Sequence, residues 1–156
     1  MSGQRLTGIF TCIACIVMVV GLILPYAFIH MDMGYGLEPE DITLYMISSF
    51  RGIVCLGLGI TTLLFTLFGN KGKSLLFAAI NGLMGVYMVA NIAMGMSSLD
   101  MTNSFVGALA ESYSTMGEVA APTVAYNYGP GFVLYIIGVV CMVIFSFMYL
   151  CSQDDY

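Results

Sequence analysis

Four apolar runs, at about 6–28, 46–68, 75–96 and 132–151, constrain this chain more than any motif in it. Each reaches the roughly 20 residues a helix needs to cross the hydrocarbon core of a bilayer. At that depth backbone polar groups find no water, so the runs are expected to be helices that satisfy their own amides and carbonyls. Only 8% of the chain is charged and 60% is hydrophobic, whereas a soluble domain carries about 25% charge. The expected fold is therefore an all-α membrane protein, a single domain over 1–156 built as an antiparallel bundle of four transmembrane helices.

Arg5 ahead of the first run gives it a superficial likeness to a secretory signal. The run is longer than a signal's apolar region, which spans about 7–15 residues, and no small-x-small cleavage pattern follows it; it reads as a retained first helix. Arg5, Lys71 and Lys73 sit at the ends that the positive-inside rule assigns to the cytoplasm. Both termini are then cytoplasmic, in a plasma membrane, and residues 29–45 and 97–131 form two outer loops. Those loops carry Asp32, Glu38, Glu40, Asp41, Asp100, Glu111 and Glu118, so most of the net charge of -5 lies outside. Such an acidic face argues against nucleic acid or anionic lipid as a partner.

The second run carries a seam at alternating steps of three and four: Gly52, Cys55, Gly59, Thr62 and Thr66. Gly82 and Gly85 continue it on the third run and Gly138 on the fourth. Small residues let helix backbones approach, and in lipid that close contact holds helices together. Ahead of the second run, Glu38-Pro39-Glu40-Asp41 has the proline and carboxylates of a helix start; a short strand over 42–47 is the competing reading. In the second outer loop, Phe105, Leu109, Tyr113 and Met116 recur at helical spacing against polar neighbours. They predict a short amphipathic helix over the outer face, ended by Pro122.

Arg51 is the one fixed charge inside a run. A charge at the bilayer centre costs about 2.5–3.5 kcal/mol, so Arg51 is expected near the outer interface, paired with Glu111 or Glu118 or receiving an anionic ligand. Asp100 and Asp32 are the other acids that could serve. Cys12 and Cys15 form a C-x-x-C, but neither outer loop holds a cysteine, so the pair reads as packing and not as a redox relay. The methionines, 13 in all, gather toward the outer face at Met31, Met33, Met46, Met94, Met96, Met101 and Met116. Thioethers could hold a soft ion such as Cu(I), though Met also serves adaptable protein contacts. His30 with the nearby acids lacks regular ligand spacing, and no metal or cofactor is expected. Asn81 and Asn91 are the strongly polar groups within the runs, suited to interhelical hydrogen bonds.

The four-pass topology resembles that of claudin-like and tetraspanin proteins, in topology alone. The first outer loop is far shorter than a claudin's, there is no Trp-Gly-Leu-Trp pattern, and the outer cysteines are missing. No nucleophile, acid–base pair or metal cluster suggests an enzyme. The expected function is a non-catalytic accessory, immunity or regulatory subunit that binds another membrane protein, or self-associates, within the lipid bilayer. The alternative is a small-ligand or metal-binding membrane protein, or an oligomeric pore.

Overall fold

A proline sets the first departure from a plain bundle. The computed structural model describes residues 3–32, 38–113 and 122–152, and helix α1 (Gly3–Ile23) closes with the Leu24 amide on the Val20 carbonyl at 3.0 Å. Pro25 lacks an amide proton and pushes its predecessor out of the helical region. The chain continues as strand β1 (Pro25–Asp32), so Pro25 to Phe28, expected to finish a helix, are strand.

Strand β2 (Glu40–Tyr45) pairs antiparallel with β1, Ile29 opposite Ile42 and His30 opposite Asp41. The expected helix start at Glu38-Pro39 is therefore overturned in favour of the strand. Ile42 and Leu44 are partly buried while Asp41, Thr43 and Tyr45 are exposed, a period of two that β-branched and aromatic residues suit. A single 3₁₀ turn (Met46–Ser48) leads into α2 (Phe50–Leu67), whose start is fixed by Ser49: its hydroxyl accepts from the Gly52 amide at 3.0 Å, the usual N-cap arrangement.

A tight turn joins α2 to α3 through Gly69, whose φ of 74° suits a residue without a β-carbon. Asn70 then receives the Lys73 amide on its side chain at 3.2 Å. Helix α3 (Lys71–Tyr113) runs for 43 residues, about 65 Å at 1.5 Å per residue and roughly twice a bilayer's hydrocarbon thickness. No separate amphipathic helix follows it within the described residues. Ser97 and Ser98, which resemble a break, return their hydroxyls to the Met94 carbonyl at 2.9 and 2.8 Å, and Thr102 and Ser104 bond back one turn in the same way. Those groups are satisfied inside the helix and do not cap a new one. Phe105, Leu109 and Tyr113 thus belong to α3, while Met116 and Glu118 lie outside the described residues.

Strand β3 (Thr123–Tyr128) completes a sheet of order β2-β1-β3, and Gly129 and Pro130 start α4 (Pro130–Cys151). The described residues of the expected outer loops at 29–45 and 97–131 are therefore largely regular structure. Four helices, α1 to α4, are long and apolar enough to cross a membrane. In the bundle α1 packs on α4 and α2, and α3 on α2 and α4. The sheet caps the end where α1 stops and α4 begins; Arg5, Lys71 and Lys73 gather at the other end. The core between them is Ala14, Cys15, Met18, Leu22, Cys55, Tyr135 and Met142.

Candidate functional site

Seam residues come together at the middle of the bundle. Gly52, Cys55, Gly59, Thr62 and Thr66 form the buried face of α2. Gly85 of α3 faces the Tyr135 hydroxyl and Val139, Gly82 faces Val143, and Gly138 of α4 lies on the Met18 backbone of α1. Asn81, fully buried, donates its amide nitrogen to the Cys55 carbonyl at 3.2 Å and to the Met18 sulfur at 3.1 Å. One amide thereby ties three helices, while its own oxygen has no partner among the described residues. Asn91 bonds within α3, to the Tyr87 carbonyl.

Directly on this amide sits a sulfur cluster. The Cys55 thiol points to the Met88 sulfur, 3.9 Å away, and accepts from the Tyr135 hydroxyl at 3.4 Å. All three residues are buried. Met88 also forms the floor of a pocket of about 390 Å³ under the sheet, whose walls include Met46, Met96, Leu44, Ile92 and Arg51. The pocket is therefore mostly apolar, walled by three thioethers, with one guanidinium at its side.

Arg51 is exposed, and its guanidinium carbon lies 4.9 Å from the centre of the Tyr87 ring, a cation–π contact worth about 0.5–1 kcal/mol at an exposed site. Among the described residues no carboxylate forms a salt bridge with it. Glu111 lies on the last turn of α3 with its side chain outside the described set, and Glu118 is outside it altogether. Asp100 instead accepts from the Tyr126 hydroxyl at 3.0 Å, which pushes that phenol above its ordinary pKa, chiefly through this hydrogen bond. His30 pairs across the strands with Asp41 at 2.5 Å.

The outer methionines separate into two sets. Met46 and Met96 are buried in the pocket wall, whereas Met94 and Met101 are exposed. Met33 lies outside the described residues. Met18 and Met88, which meet the cysteine and the amide, escaped the sequence reading, although Met88 follows Gly85 by three residues on the α3 stripe. Cys12 and Cys15 are not joined, and all five cysteines are free. At the opposite end a larger cleft, about 800 Å³, opens between α1 and α2, with Arg5 and Gln4 at its rim and Gly8, Cys12 and Tyr149 in its wall. Among the described residues no three of His, Cys, Asp and Glu gather as metal ligands.

No model of a known protein family matches the chain, and no curated protein matches it in sequence.

Proposed function

We propose that the chain is a non-catalytic plasma-membrane subunit, of the accessory, immunity or regulatory kind, that docks on another membrane protein. The termini are cytoplasmic and the sheet is outside, an orientation supported by Arg5, Lys71 and Lys73 at the end away from the sheet. The observation that carries the docking reading is on α3. Met101 and Phe105 lie one turn apart on the same face and are 74% and 66% exposed. They stand about 45–50 Å along the helix from Lys71, past the roughly 40–45 Å of a whole bilayer with its headgroups. Apolar side chains held there face water unless a protein covers them, and contiguous exposed apolar surface of this kind marks interaction sites.

The experiment is a pair of purifications in mild detergent from the protein's own membranes. Wild type is expected to carry a companion at fixed stoichiometry, and Phe105→Glu to lose it while melting at the same temperature. A companion that survives Phe105→Glu and Met101→Glu together contradicts docking at this face.

A further inference from the structure

Toward α4, helix α1 closes backbone to backbone, with Gly138 on Met18 and Gly21 on Tyr135. Toward α2 a gap remains. Gly8 and Cys12 of α1, with Thr66 of α2 and Gly69 just past it, line the open cleft of about 800 Å³ at the end of the bundle away from the sheet. A second hollow of about 180 Å³ continues along the same two helices, with Ile16 bordering both, and reaches Val20 and Gly59. We infer that this groove holds one anionic phospholipid of the adjoining leaflet, an acyl chain lying along α1 and α2 and the headgroup at Gln4 and Arg5.

The groove has the length of one leaflet. From Gln4 to Val20 it follows α1 for about 24 Å at 1.5 Å per residue, and a leaflet with its headgroups is about 20–22 Å, half of a whole bilayer. Its walls suit hydrocarbon. Ile9, Ile13 and Ile16 of α1 and Leu67 of α2 are exposed along it, and water finds few polar partners between such side chains. Packed protein leaves few voids larger than a water molecule, so a gap of this size at membrane depth is filled by what surrounds it. Met18 of α1 still touches Gly59 of α2; the space between the helices therefore admits a hydrocarbon chain and not a third helix, 10–12 Å across with its side chains.

Charge selects the headgroup. Among the described residues Arg5 forms no salt bridge, and its guanidinium offers a phosphate two parallel donors. Lys71 adds a second positive charge 5.7 Å from the centre of the Tyr149 ring, which is part of the cleft wall. No acid stands at this end among the described residues, Asp154 and Asp155 lying outside them. The acidic face that disfavours anionic lipid is the opposite one, beside the sheet. Basic pockets between membrane helices hold anionic headgroups, and in the orientation proposed above this leaflet is the cytoplasmic one, where such lipids are supplied. The docking face on α3 plays no part in this groove.

The test uses the purified full chain, reconstituted in nanodiscs of phosphatidylcholine and phosphatidylglycerol with the same acyl chains and released for native mass spectrometry. Wild type is expected to retain one phosphatidylglycerol per chain, preferred at least tenfold over phosphatidylcholine. Glycerol phosphate, the headgroup without its chains, should not displace it. Arg5→Gln, at an exposed position, should lose the preference while melting at the same temperature, and Cys12→Leu, which fills the cleft, should retain neither lipid. Where Cys12→Leu fails to fold, the folded Arg5→Gln variant decides. A photoreactive amino acid in place of Ile13 should capture lipid. Wild type that retains no lipid or holds the two equally, displacement by glycerol phosphate, Arg5→Gln that keeps the preference, folded Cys12→Leu that retains lipid undiminished, or a protein adduct at position 13 in place of a lipid each overturns the proposal.

Discussion

Gly138 of α4 rests directly on the backbone of Met18 of α1, and a β-carbon at Gly138 would meet the Met18 amide and α-carbon. Gly21 makes the reciprocal contact, against the backbone at Leu134 and Tyr135. The pair brings α1 and α4 into backbone contact, and in lipid dispersion across such a contact replaces the hydrophobic drive between helices.

Gly138→Ala is therefore expected to destabilise the protein by about 1–3 kcal/mol, the usual cost of overpacking. Gly57, with open space where its β-carbon would go, provides the comparison: Gly57→Ala should be neutral or stabilising by at most about 1 kcal/mol. Thermal unfolding in one detergent checks both. Equal losses for the two variants would show that the close approach at Gly138 is not what holds α1 to α4.

Asn103 of α3 grips one residue of the sheet from the side. Its amide nitrogen donates to the Val124 carbonyl, and its oxygen accepts from the Val124 amide at 3.1 Å. Both backbone groups of Val124 thus face α3 and not Met31, its partner on β1, as at a non-hydrogen-bonded position of an antiparallel pair. Asn103→Ala strips both groups at once, at about 1–3 kcal/mol for partners left unsatisfied. Hydrogen exchange at Val124 should accelerate at least tenfold while amides in α4 stay protected. Unchanged exchange would mean that other contacts hold the edge of β3.

Tyr126 and Asp100 supply a pH dependence. The hydrogen bond to Asp100 raises the Tyr126 pKa, so the folded state favours the neutral phenol more than the unfolded state does. The resulting stabilisation is fully present below the unfolded value of about 10 and is lost as pH climbs through the higher folded value. Difference absorbance between wild type and Tyr126→Phe should show the Tyr126 phenol titrating above the ordinary range, and Asp100→Asn should bring that contribution back toward it. A titration unaffected by Asp100→Asn would rule out this bond as its cause.

The four long apolar helices were legible because runs such as Phe132 to Cys151 are long and apolar enough to cross a membrane, where a helix satisfies its own backbone. The sheet was not, since Tyr26 to Ile29 are as apolar as the helix they follow and only Pro25 marks the change. At β2 the carboxylates of Glu40 and Asp41 imitate a helix start; the alternation of Ile42 and Leu44 with Thr43 and Tyr45 was the better guide. Ser49, the actual cap of α2, carries no acidic companions to advertise it. The length of α3 was hidden by Ser97 and Ser98, whose hydroxyls fit a helix interior as well as its end. For Arg51, Tyr87 lies on another helix, and aromatic partners leave no charge pattern to read. The meeting of Cys55, Met88 and Tyr135 depends on the relative register of three helices, which no single run encodes.

Docking at the projecting part of α3 is tested most directly by a photoreactive amino acid in place of Phe105, illuminated in native membranes. The same substitution at Leu83, 74% exposed but only about 18 Å along α3 from Lys71, reports the lipid background. The expected result is one discrete heavier adduct from position 105, containing a different membrane protein, and none from position 83. No adduct at 105, or an adduct made only of two copies of this chain, would contradict it.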